Sequence, residues 1–127
     1  MLIDGPNLAA DIAKATGNAP IVLALDPVGG DTFGRLADSL GYSGTLVTFG
    51  VLSGKPATLD TRRLIGNDIR LRGFWLYKWF QTATMQEKQA AFGEVIPLIA
   101  NGTLKADIDS RFTIDEIKEA VSRSKEG

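Results

Sequence analysis

A chain of 127 residues, 44% of them apolar, has material for one folded domain or parts of two, so disorder is not the default. A net charge of −1 argues against the basic face that nucleic acid demands and against an anchor on anionic lipid. With no cysteine and no histidine, the chain offers no disulfide, no thiolate nucleophile, no Ser-His-Asp triad and no histidine-ligated zinc of its own. Chemistry shared with residues outside the chain stays open.

No apolar run approaches the ~18–20 residues of a membrane span. The start, Met1 to Pro6, lacks the basic and apolar regions of a signal peptide. The expectation is a soluble, cytoplasmic-type protein.

Leu2-Ile3 reads as the tail of an earlier strand. Asn7 to Thr16 then carries Leu8, Ile12 and Ala15 at helical spacing and stops at Gly17. Ile21-Val22-Leu23-Ala24-Leu25 is a short run apolar on both faces, which suits a strand covered on both sides. Asp31 to Leu40 puts Phe33, Leu36, Ala37 and Leu40 on one helical face, with Asp31 or Thr32 to cap it and Gly41 to end it. Thr45 to Phe49 is a second strand. Ile69 to Trp75 is a third, and the three runs begin 24 residues apart. Strand, helix, strand at this spacing predicts a βαβ unit with a parallel sheet and a right-handed crossover.

Beyond a boundary near Leu76 to Lys78 the pattern becomes mostly helical. Thr84 to Asn101 places Met85, Phe92, Val95, Ile96 and Ile99 on one stripe, with a kink expected at Pro97 and a stop at Gly102. Thr113-Ile114-Asp115-Glu116 is a capping box opening a last helix. Three strands make a small parallel sheet, and the chain stops soon after a helix. Together these suggest a piece of something larger.

Val28-Gly29-Gly30-Asp31 lies where a strand meets a helix, at the carboxyl edge where α/β proteins bind ligands; a plain tight turn explains it as well. Phe49 to Gly54 ends the next strand and would line the same crevice. Neither is a G-x-G-x-x-G loop, and Gly50 to Lys55 lacks the spacing of a phosphate loop. Residues 74–80 hold five of the ten aromatics, and three readings compete: core, pocket wall, or a strand that pairs with another subunit. The carboxylates Asp26, Asp31, Asp60, Asp68, Asp107 and Asp109 form no acid/base pair or metal cluster and read as caps and turns.

Leu25 to Gly30, then Gly44 to Gly50, then Leu71-Arg72-Gly73-Phe74-Trp75-Leu76, in this order, resemble the medium-chain dehydrogenase/reductase superfamily. The nearest branch is the zinc-independent enoyl-thioester reductases, with their quinone oxidoreductase cousins. The resemblance covers essentially the whole chain but only the C-terminal part of the family's length. It implies an α/β fold: a partial Rossmann sheet with strands 4, 5 and 6 and a stub of strand 3, followed by a mostly helical segment. Residues 1–76 would be the C-terminal half of the nucleotide-binding domain, and residues 77–127 a truncated returning segment of the catalytic domain. Strand 4 would lack its usual neighbour and leave a bare edge.

The resemblance also implies an oxidoreductase that passes hydride from NADPH (NADH as alternative) to the C=C of an enoyl thioester. A quinone or alcohol substrate is the alternative within the superfamily, and a non-catalytic dimerising α/β module the alternative outside it. It places three stretches on the nicotinamide side of the cofactor: Pro27, Val28 and Gly29; Phe49, Gly50, Val51 and Leu52; and Phe74, Trp75, Leu76 and Tyr77. Trp75 and Trp79 would wall the acyl pocket. The proton-donating tyrosine would lie upstream, so the implied set holds no catalytic residue and no metal ligand. The implied assembly is a homodimer through the strand at 69–75, without nucleic acid or membrane, cytoplasmic or, in a eukaryote, mitochondrial. The chain alone is expected to be inactive.

Overall fold

A computed structural model of the chain describes residues 4–125. The expected stub at Leu2-Ile3 lies outside the described residues. By its internal contacts the chain divides into two units, Met1–Thr82 and Ala83–Gly127.

The first unit runs α1 (Leu8–Ala15), β1 (Ile21–Asp26), α2 (Gly30–Ser39), β2 (Leu40–Thr48), α3 (Thr61–Gly66), β3 (Arg70–Gly73) and α4 (Leu76–Thr82). The three strands form one parallel sheet in the order β1-β2-β3. Leu25 stands beside Val47, and Val47 beside Arg72, so the three apolar runs lie side by side and point the same way.

The core forms because α2 lays one face on the sheet. Phe33 and Ala37, at i and i+4, lie on one face of the helix with the partly buried Leu36 beside them, and Leu40 follows as the first residue of β2. They pack with Ala24, Leu46 and Ile69. Burying Phe33, Leu40, Leu46 or Ile69 stabilises by about 1.5–3 kcal/mol each, and the two alanines contribute less. Strand residues alternate between faces. Ala24 and Asp26 therefore sit under α2, whereas Leu23 and Leu25 point away and stay 55% and 57% exposed. The sequence suggested strands covered on both faces. Within this unit only one face is covered, and β1 has no strand on its other side among the described residues.

Several boundaries differ from the sequence reading, each for a local reason. The cap of α2 is Gly29, not Asp31 or Thr32. At φ +73° and ψ −156°, Gly29 occupies backbone space that side chains avoid. Helix α2 ends at Ser39 without waiting for Gly41, and Leu40 turns directly into β2. The early part of β2 is bulged, since a step of two residues along β1, from Ile21 to Leu23, matches a step of five along β2, from Leu40 to Thr45. Ser43, at φ +56°, lies in that bulge and is held by its N–H on the Asn67 carbonyl at 2.8 Å. The third strand is shorter than residues 69–75. Ile69 donates to the Leu64 carbonyl at its entry, and the backbone leaves the ladder after Phe74 to start α4.

The second unit holds α5 (Met85–Ala100), a 3-10 turn (Ile114–Glu116) and α6 (Ile117–Arg123). Thr84 and Glu87 form a reciprocal capping box at the start of α5, and Thr113 and Glu116 form another at the 3-10 turn. Helix α5 runs through Pro97 without interruption. Neither α5 nor α6 has a buried residue.

Candidate site at the carboxyl edge of the sheet

In a parallel sheet, every strand delivers its following loop to the same edge. Here three loops meet there and are tied by main-chain hydrogen bonds. Phe49 N–H donates to the Asp26 carbonyl at 3.0 Å, Leu52 N–H to the Pro27 carbonyl at 3.1 Å, and Ser53 N–H to the Val28 carbonyl at 2.9 Å. Phe74 N–H donates to the Thr48 carbonyl at 2.9 Å. The loops after β1 and β2 approach so closely that a Cβ on Gly50 would lie 2.5 Å from the Pro27 carbonyl oxygen.

A groove of about 640 Å³ opens at this edge. The loop after β2 contributes Phe49, Gly50 and Val51, the end of β3 contributes Arg72 to Trp75, and α4 contributes Lys78, Trp79 and Thr82. A second, more apolar hollow of about 460 Å³ lies against Leu25, Val47, Phe49, Phe74 and Leu76. The resemblance pointed to eleven residues. Phe49, Gly50, Val51, Phe74 and Trp75 line the groove, and Leu76 joins Phe49 and Phe74 in the second hollow. Pro27, Val28, Gly29, Leu52 and Tyr77 line neither. The first three and Leu52 form the clamped loops, and Tyr77 leans on Trp75 with ring centroids 5.3 Å apart.

Arg72 and Lys78, the two basic residues of the aromatic run, and Thr82 also line the groove and were not among the residues assigned to the site from the sequence. The signal was there. Trp75, Lys78, Trp79 and Thr82 are spaced i, i+3, i+4 and i+7, the period of a helix face. The density of aromatics drew attention to a strand end and away from that period.

The groove is apolar and cationic, and no carboxylate lines it. Among the described residues Arg72 and Lys78 have no ion-pair partner. The displaced acidic groups all lie elsewhere. Hydrogen bonds from Arg35 first, then from Thr32, hold the Asp4 carboxyl down at about 2. Asp60 is lowered by Arg62, and Asp109 by Arg123. Glu87 and Glu116 are lowered by the N–H and hydroxyl groups of Thr84 and Thr113. The groove can therefore hold and orient a flat or apolar group with an anionic end.

Comparison with known proteins adds independent findings. The model of a family described as zinc-binding dehydrogenase matches residues 3–127. The mitochondrial enoyl-[acyl-carrier-protein] reductase of Dictyostelium discoideum is 38% identical over 104 residues, covering 82% of this chain and 29% of that protein. The human protein of the same name is 31% identical over 102 residues, covering 80% and 27%. The chain thus spans under a third of the curated relatives it matches. Among solved structures, the mitochondrial 2-enoyl thioester reductase Etr1p/Etr2p heterodimer of Candida tropicalis is similar over 94% of this chain and 34% of its own, at 24% identity and a TM-score of 0.72. The complex of Etr1p with NADP and crotonyl-CoA gives a TM-score of 0.73 at 24% identity over 94% of this chain and 34% of its own. A mycobacterial quinone oxidoreductase gives 0.73 at 24% over 98% and 37%. These structures share the fold.

Proposed function

Since the chain belongs to the zinc-binding dehydrogenase family, we propose that it is the C-terminal part of an NADPH-dependent reductase and supplies the surface on which the nicotinamide lies. Residues 1–76 would be the second half of the nucleotide-binding domain, and residues 77–127 the returning part of the catalytic domain. The observation that carries this is the aromatic, cationic groove at the carboxyl ends of β2 and β3, built on loops that are hydrogen-bonded to one another.

The family description names zinc, but the residues here do not fit it. The chain has neither cysteine nor histidine, and no three acidic groups cluster among the described residues. No step is drawn through a metal. A nicotinamide cofactor fits better. Phe49, Phe74 and Trp75 offer flat apolar walls that would hold a planar ring, and Gly50 and Val51 would let it approach the backbone. When bound, the reduced ring supplies a hydride. The chain's part is to hold the ring's plane, exclude water from one side with Phe49 and Trp75, and keep the ring facing the substrate.

The substrate we favour is an enoyl thioester, in line with the names of the curated relatives. A quinone is the alternative, favoured by the fold shared with the mycobacterial enzyme. The edge of β3, unpaired among the described residues, makes a second copy the partner we expect, joined strand to strand. The relatives are mitochondrial proteins, and no helix among the described residues is long and apolar enough to cross a membrane. We expect the cytoplasm, or the mitochondrion in a eukaryote.

A chimera tests this reading. The chain replaces the aligned segment of the Dictyostelium relative, and NADPH-dependent reduction of crotonyl-CoA is followed at 340 nm. The expected result is reductase activity in the chimera and none in the 127-residue chain alone. Activity in the isolated chain, or a folded chimera without NADPH-dependent turnover, would overturn the proposal.

A further inference from the structure

Asp26 is the one polar residue on the covered face of the sheet that is wholly buried among the described residues. Its two carboxylate oxygens differ. Oδ1 accepts the N–H of Val28 and the N–H of Gly29, both at 2.9 Å. Oδ2 is buried and has no hydrogen-bond partner among the described residues. The side chain thus bends the backbone after β1 into an Asx-type turn and satisfies the N–H of Gly29, the cap residue of α2. The carbonyls of Asp26, Pro27 and Val28, which this turn aims, are the acceptors for Phe49, Leu52 and Ser53. One carboxylate therefore fixes one loop, and that loop fixes the next.

We infer that Asp26 is the positioning residue of the nicotinamide surface, acting through the turn it closes and without use of its charge. This rests on the proposed function for its consequence, though not for the clamp itself. The idle Oδ2 separates it from the rival role of a carboxylate that binds a ribose hydroxyl. A ribose-binding acid presents a free, accessible oxygen, and this one is enclosed. Since only one acceptor atom does the holding, Asn should serve as well as Asp, whereas Ala removes both bonds to the turn.

Two measurements test it. Hydrogen exchange on the 127-residue chain is read peptide by peptide by mass spectrometry. D26A should speed exchange tenfold or more at residues 28–29 and also at 49–53, while the β2 segment at 45–48 keeps its protection. D26N should match the wild type throughout. In the chimera, D26A should raise the KM for NADPH at least tenfold with a smaller change in kcat, and D26N should stay within twofold of the wild type. Unchanged exchange at 49–53 in D26A would overturn the clamp. Damage by D26N equal to that of D26A would overturn the neutral role and favour a charged one. Should D26A lose protection everywhere, the D26N comparison alone decides. A wild-type chimera that folds without turnover sinks the proposed function, and the exchange result still judges the clamp.

Discussion

Single atoms decide much at the carboxyl edge. A methyl group at position 50 would meet the Pro27 carbonyl oxygen at 2.5 Å and its carbon at 3.1 Å, and backbone atoms yield poorly. Gly50→Ala is expected to cost about 1–3 kcal/mol, as overpacking does, and to lower the urea midpoint. The same change at Gly54, where the space is open, should act only through its φ of +65°. Farther away, Asp4 carries a two-pronged pair with Arg35 and sits at about 2, well below an unfolded aspartate at about 3.9. A lowered carboxylate adds stability above the unfolded value, and that stability fades as pH falls from about 4 toward 2. The pair is partly exposed, so the gain is at most about 1 kcal/mol. Asp4→Asn should flatten the acid limb of a pH-stability curve without moving the plateau near neutrality by more. The class of Asp26, a turn carboxylate, was readable from the sequence because an acid before Pro-Val-Gly-Gly has turn chemistry. Its burial was not, since nothing local says that α2 will close over it.

At the level of elements, periodicity found α2, β1 and β2 because each buries a stripe or a face against a neighbour, and it found β3 and α5 from their apolar runs although neither has a buried residue. It missed two short helices. Helix α3, six residues long, has no buried residue and is held by the Asp60 cap. Helix α4 has none either, and its aromatic surface disguised its helical spacing. Strand β2 begins five residues before the apolar run suggested, because its bulged entry is held by the Ser43 N–H on the Asn67 carbonyl and not by side-chain pattern. Leu46 is the deepest apolar side chain of the sheet, with 0% exposure, wedged among the residues of α2 and β1. Leu46→Ala is therefore expected to cost about 2–5 kcal/mol in chemical unfolding. Leu71→Ala, on a strand residue that is 43% exposed, should cost far less.

The whole molecule is built for company. Leu23 and Leu25 face outward from the sheet, Val22 is exposed, the outer edge of β1 has no strand beside it among the described residues, and the apolar stripes of α5 and α6 are exposed. Exposed apolar surface and an open strand edge of this kind each drive association. Light scattering on the isolated chain should give a mass well above 13.6 kDa, with marked binding of a hydrophobic dye. A monodisperse monomer with a sharp melt would instead favour a self-sufficient module. The crevice at the carboxyl edge was legible from the loops after β1 and β2, but the role of the aromatic run beside it was legible only through resemblance to a family, since residue spacing alone left pocket, core and interface open. What gives that run its meaning is the nicotinamide assignment, and saturation-transfer NMR on NADPH mixed with the 127-residue chain tests it most directly, because the method reads weak binding. If the groove at Phe49, Val51 and Trp75 is the floor for the reactive ring, saturation reaches the nicotinamide protons and leaves the adenine protons nearly untouched. Stronger transfer to adenine, or none to either end, would contradict it.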